Sequence, residues 1–279
     1  MEDRRGQRGP AGPGGGFKLS GGMILLLLVL AVVFKVNPLT LLEQTGGMGG
    51  GGQGPVVESG PLSESQKEMG IFAEQILAST EDVWTEEFRK MGAEYRPAKM
   101  VLFTGATRSG CGYASSQVGP FYCPADRQVY IDLNFFDEMS RRFHAPGDFA
   151  QAYVIAHEVG HHVQNLLGIS DQVHQAQQRV GKVEANQLSV RLELQADFLA
   201  GMWARSEQAR FGSLEEGDIN EAMRAANAIG DDTLQKQAQG HVVPDAFTHG
   251  SSEQRMRWFM KGFKGEPFEP DKTFSSRDL

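Results

Sequence analysis

Residues 157 to 164, His-Glu-Val-Gly-His-His-Val-Gln, decide how this chain is read, because they hold H-E-x-x-H inside an apolar run long enough to form a helix. On a helix, positions i and i+4 share a face, so His157 and His161 can direct two imidazole nitrogens at one Zn2+ ion. Glu158 stands beside them, where its carboxylate can take a proton from a water on the metal. His162 is turned by about 100° from His161 and points elsewhere. With 7 His in 279 residues, a chance match arises in roughly one such chain in a hundred. The surroundings favour a helix over 148–167. Pro146-Gly147-Asp148 offers a stop and a cap, and Phe149, Ala152, Tyr153, Ala156, Gly160 and Val163 recur at helical spacing. Gly168 then follows as a C-cap glycine. A solvated helix with His and Glu at neutral positions is the plain alternative.

A catalytic zinc requires three protein ligands and an open position. The metzincin completion H-E-x-x-H-x-x-G-x-x-H fails, since Gln164 occupies the glycine position and Leu167 that of the third histidine. The other common solution takes a Glu from a second helix, and the stretch 191–201 offers Glu193 and Asp197, four apart and on one face. Small Ala196, Ala200 and Gly201 would let that helix approach the first closely. Glu193 is expected as the third ligand, and Asp197 as the acceptor that fixes the tautomer of a ligating histidine. An amphipathic helix with two acids on its wet face would carry the same residues.

At these positions the chain resembles the gluzincin peptidases, particularly the membrane-associated type that includes the Ste24 and HtpX-like proteases. A closer resemblance is to the bacterial family of neutral zinc metallopeptidases. It runs through Val101–Gly105, Ser109–Ala114, Gly119–Pro124, Val129–Asp132 and Phe247–Ser252, and covers the chain from about residue 60 onward together with the N-terminal apolar segment. The resemblance implies a zincin-like peptidase fold and a zinc cofactor, and it brings no substrate with it. Thr248-His249 with Arg255 resembles the Ser/Thr-His-Pro…Arg element of the Ste24-like enzymes, with Gly250 in place of the proline. There the histidine and arginine lie near the substrate carbonyl. By chemistry, His249 and Arg255 could stabilise the oxyanion of a tetrahedral intermediate. The alternative is a His249 that caps a helix and an Arg255 in a surface ion pair. His241, His174 and His144 have no comparable partners.

The first fifth of the chain is of another kind. Residues 1–18 are rich in Gly, Pro and Arg and are expected to be disordered. Met23 to Phe34 has no polar side chain, and the apolar stretch extends to a 19–42 membrane anchor if Lys18 and Lys35 snorkel. A cleaved signal peptide would need small residues after the run, where Lys35-Val-Asn-Pro follows. Arg4, Arg5, Arg8 and Lys18 precede the run, so the positive-inside rule keeps the N-terminus in the cytoplasm and exports the remainder. Residues 43–62, with Gly46 to Gly54 at their centre, read as a flexible linker. A peptidase domain is expected over 63–265 and a loose tail over 266–279.

Cys111 and Cys123 are twelve apart in a turn-rich stretch, and on the outer side of a membrane such a pair favours a disulfide. No C-x-x-C or neighbouring histidine accompanies them, which weakens a metal reading. The net charge of −8 argues against a nucleic-acid partner. The expected architecture is α+β and helix-dominated. A first helix runs to about Lys90, with Ile71, Ile76, Leu77, Val83, Trp84 and Phe88 on its core stripe. Two short strands follow around the cysteine loop, then helices near 148–167, 171–183, 184–210, 215–228, 231–239 and 251–262. The strand Arg127 to Leu133 is the candidate edge that pairs with an extended peptide. The function expected is hydrolysis of peptide bonds in a protein or peptide substrate. A tethered scaffold with structural zinc and an amidase acting on a non-protein envelope substrate are the alternatives, and oligomeric state is left open.

Overall fold

The computed structural model describes residues 1–5, 61–115, 118–143, 147–276 and 279. The anchor expected over 19–42 and nearly all of the 43–62 linker lie outside the described residues. Among the described residues, no helix is long and apolar enough to cross a membrane.

Helix α1 (Glu64–Lys90) starts where the sequence gives a reciprocal cap. The Ser63 hydroxyl accepts from the Gln66 N–H at 3.2 Å and the Gln66 side chain accepts from the Ser63 N–H at 2.9 Å. Its buried stripe is Gly70, Ala73, Thr80, Val83, Trp84 and Phe88. Ile71, expected on that stripe, is 57% exposed, because the small residues Gly70 and Ala73 take the inward positions.

The sheet has the order β1-β2-β6-β5: Glu2–Asp3, Lys99–Phe103, Gln128–Asp132 and Phe121–Cys123. Strands β1 and β2 both run parallel to their neighbours, and β5 is antiparallel to β6. Side chains alternate between two cores, as strand geometry requires. Met100, Leu102, Val129 and Ile131 enter the main core with the helices. Val101, Phe103, Tyr130 and Cys123 form a second cluster on the opposite face. The hairpin β3–β4 (Ala106–Ser109, Gly112–Ser115) is a separate two-stranded sheet. Cys111, in its turn, forms a disulfide with Cys123 at the end of β5, with Cα atoms 5.8 Å apart. Closing a loop of that length contributes on the order of 3 kcal/mol.

Helix α2 (Asn134–Phe143), absent from the sequence expectation, buries Phe136 and Met139 directly after β6. Six helices then follow close to the expected spans. They are α3 (Asp148–Leu166), α4 (Ile169–Gln177), α5 (Lys182–Phe211), α6 (Asp218–Ala228), α7 (Asp231–Gln239) and α8 (Ser252–Phe263). Nearly all of α3 is buried, including Gln164 and both Glu158 and His157. It packs on α5, which packs in turn on α8. Small residues set both crossings. A Cβ on Gly160 of α3 would stand 3.0 Å from the Ala196 carbonyl of α5. Gly201, expected to serve that same approach, faces α8 instead. A Cβ there would run into the Phe259 carbonyl, as one on Gly262 would run into that of Phe198.

Three expectations are corrected here. Residues 266–276 are fastened: α9 (Lys272–Ser275) buries Thr273, and Arg191 Nη1 donates to the Thr273 and Ser276 carbonyls at 2.6 and 3.0 Å. The Gln195 amide donates to the Pro270 carbonyl at 2.7 Å. Residues 1–5 are likewise ordered, since β1 completes the sheet. Strand β6 is interior, paired on both sides, so the outer edge beside α3 belongs to β5.

Candidate metal centre

Helix α3 presents His157 and His161 one turn apart, and α5 presents Glu193 opposite them. His157 Nε2 is 3.2 Å from Glu193 Oε2, and His161 Nε2 is 3.5 Å from Glu193 Oε1. Zinc bonds of about 2.1 Å at tetrahedral angles require ligand atoms about 3.4 Å apart. The spacing therefore fits a single ion, and among the described residues this is the one metal-capable cluster that contains histidine.

Each imidazole is turned so that Nε2 is the free donor. His157 Nδ1 donates to Asp197 Oδ1 at 2.8 Å, and His161 Nδ1 donates to Gln164 Oε1 at 2.9 Å. With the protons on Nδ1, both Nε2 lone pairs face Glu193, the tautomer a metal needs. Burial disfavours the His157 cation, but the Asp197 and Glu193 carboxylates outweigh it and push its pKa up to about 9. A bound metal must displace that proton. Glu193 is affected in the opposite sense: burial raises it, yet His161 and His157 draw it well below the usual carboxylate range. Burial lowers the His161 pKa, but Glu193 outweighs burial and raises it, with a smaller push from Glu158, which is buried on α3 and so lies within electrostatic reach of the ligand set.

Behind His157 is a buried network. Asp197 is fully buried, and Arg255 donates to it twice, Nε to Oδ2 and Nη2 to Oδ1, both at 2.9 Å. The Tyr153 hydroxyl donates to Asp197 Oδ1 at 2.6 Å and accepts from Arg255 Nη2 at 3.2 Å. The expectation that Arg255 stabilises an oxyanion is thus corrected. Arg255 is 2% exposed, and its guanidinium is engaged behind the histidine, where it balances Asp197. A buried carboxylate needs such a partner.

His249 lies within electrostatic reach of Glu193, with its side chain 38% exposed. It is held by Asp231 at the start of α7. Asp231 Oδ2 accepts from three successive backbone N–H groups, Thr248 at 2.7 Å, His249 at 2.6 Å and Gly250 at 3.0 Å. Its Oδ1 lies 3.4 Å from His249 Nδ1. Gly250, in place of the family element's proline, has φ of +91°, a conformation that favours glycine. Burial lowers the His249 pKa, but Asp231 and Glu193 raise it above the ordinary histidine value.

Sequence reasoning missed three members of this centre. Gln164 was visible, three residues after His161, and was read only as the wrong residue for a metzincin. Tyr153 is four residues before His157, a spacing that puts it on the same face. Asp231 gives no local signal, because it reaches His249 across eighteen positions. His162 behaves as its angular offset predicts: its Nε2 donates to the Arg96 carbonyl at 2.6 Å and its Nδ1 faces the Tyr122 hydroxyl at 3.0 Å, tying α3 to β5.

A family profile described as "Putative neutral zinc metallopeptidase" matches residues 1–274. The chain is 51% identical over 272 residues to the "Uncharacterized protein YpfJ" of Escherichia coli K12, covering 96% of this chain and 93% of the relative. It is 45% identical over 196 residues to the "Uncharacterized protein Rv2575" of Mycobacterium tuberculosis, covering 66% of this chain and 65% of that one. No solved structure matches.

Proposed function

The chain belongs to the neutral zinc metallopeptidase family, and from that premise we propose that it is a gluzincin-type endopeptidase with Glu158 as general base. The observation that carries this reading is the convergence of His157 Nε2, His161 Nε2 and a Glu193 oxygen within 4.8 Å of one another, beside a buried Glu158. Zinc held by His157, His161 and Glu193 would supply a Lewis acid that makes an attacking water easier to deprotonate. Glu158 accepts the proton of the attacking water and returns it to the leaving amine. In its protonated form, which Asp231 favours, His249 donates a hydrogen bond to the substrate carbonyl oxygen as negative charge develops there. Asp197 and Gln164 hold the two ligand imidazoles in their tautomers, while Arg255 and Tyr153 hold Asp197.

The partner assigned to an extended substrate backbone is the outer edge of β5, the edge strand that contacts α3, and this replaces the 127–133 strand in that role. The apolar segment 19–42 serves as the membrane attachment.

Glu158→Gln tests the assignment. Cleavage of an unstructured protein such as casein should fall by about 10²-fold or more, while zinc measured by elemental analysis stays at one per chain. Full activity in that variant, or zinc lost from it, would overturn the base assignment.

A further inference from the structure

Residues 1–5 carry an inference about the whole chain that does not depend on the zinc reading. We propose that the N-terminus and the zinc domain lie on the same side of any membrane, so that the chain between Arg5 and Pro61 makes no net crossing. Charge counting gave the opposite arrangement, with Arg4 and Arg5 among four cations holding the N-terminus across the bilayer from the domain.

Both arginines are built into the domain. Strand β1 pairs with β2, Glu2 opposite Val101 and Asp3 opposite Leu102, and the Arg4 N–H continues the ladder to the Leu102 carbonyl at 2.8 Å. The Arg4 guanidinium donates to Thr107 Oγ1 at 3.0 Å and to the Arg108 carbonyl at 2.9 Å, and lies 6.0 Å from the Tyr130 ring centre. Arg5, its side chain only 5% exposed, donates to the Gln66 carbonyl of α1. Helix α1 makes room for it with Gly70, where a Cβ would stand 2.5 Å from the Arg5 guanidinium. The two cations are also paired with Glu2 and Asp3, each at 2.7 Å, so they are not free flanking charges.

A strand hydrogen-bonded to β2 cannot be separated from it by about 30 Å of hydrocarbon. The contact between Arg5 and Gln66 further brings the two ends of segment 6–60 to one corner of the domain. Whatever the apolar run Met23–Phe34 does at a membrane, Arg5 before it and Pro61 after it belong to one domain.

The test uses the full-length chain in the membranes of producing cells. Cys111 and Cys123 are joined, so the native chain is silent to a maleimide. Glu2→Cys and Ile71→Cys, at positions 56% and 57% exposed, are labelled separately with a membrane-impermeant maleimide, before and after permeabilisation. The expected result is that both sites label together, whether before or only after permeabilisation. One site labelled in intact cells and the other protected would overturn the proposal. In a second variant, Gly70→Leu, displacement of Arg5 should speed proteolytic removal of an N-terminal epitope at least tenfold in permeabilised cells. An unchanged rate there would also overturn it, since it would mean that the segment does not dock on α1.

Discussion

The two sides of the metal centre are held by different means. On the α3–α5 side, His157 is fixed by a fully buried carboxylate that is itself fixed by a buried arginine and a tyrosine hydroxyl. At the α7–α8 corner, one carboxylate gathers three backbone N–H groups and leaves the His249 side chain partly in solvent. The first arrangement fixes donor atoms at the cost of burying charge, and the second fixes a loop while leaving its side chain free to meet a ligand. Metal binding demands positions good to a few tenths of an ångström, and a hydrogen-bond donor to a substrate tolerates more.

Held by such different means, the two sides must fail differently. The largest effect is expected from Asp197→Ala, which leaves Arg255 buried without its partner. It should destabilise the zinc-free protein by about 3–5 kcal/mol in denaturant unfolding. Zinc affinity, measured by chelator competition, should drop roughly 10–100-fold as His157 loses its orienting acceptor. A stability loss below about 1 kcal/mol would mean that the buried network is not what stiffens this side.

His249→Ala comes next. It should lower kcat by about 10²–10³-fold while zinc affinity stays unchanged, because the residue donates no metal ligand. Zinc loss in this variant would erase the distinction between the two sides. Gln164→Ala should behave in the reverse manner, with zinc bound roughly tenfold more weakly and kcat at saturating zinc close to that of the parent.

The smallest expected effect is a displaced pH limb. Asp231 and Glu193 raise the folded-state pKa of His249 above its unfolded value near 6.5. The protonated form is therefore the one the fold favours. Its contribution to stability is fully present below the unfolded value and is lost as pH rises through the folded one. Activity that needs this donor should decline on the alkaline side through the same titration. Asp231→Asn removes the carboxylate charge and should move that alkaline limb to lower pH. A limb that stays in place would assign it to another group.

The parts of the centre that the sequence made legible are those within one helix. His157 and His161, and Glu193 and Asp197, are pairs at i and i+4, so helical geometry alone sets which face they share. The cysteine pair was legible because a loop of twelve residues can close on itself. Arg255 was visible as a residue but not in its role, since nothing local distinguishes a surface arginine from one buried against Asp197, 58 positions away. Strand β1 was misread for a related reason: Gly, Pro and Arg around it describe an unstructured tail, and only the free edge of β2 gives those four or five residues a partner.

The sequence by itself determined most of the long helices and the placing of His157, Glu158 and His161 on one of them, because those depend on contacts within a few residues. The tertiary structure alone decided that Glu193 meets both histidines, that Asp231 holds His249, that Arg255 serves Asp197, and that the N-terminus joins the sheet. Each of these is a contact between distant segments, fixed by how closely Gly160, Gly201 and Gly262 let the helices approach and by which strand edge is left open.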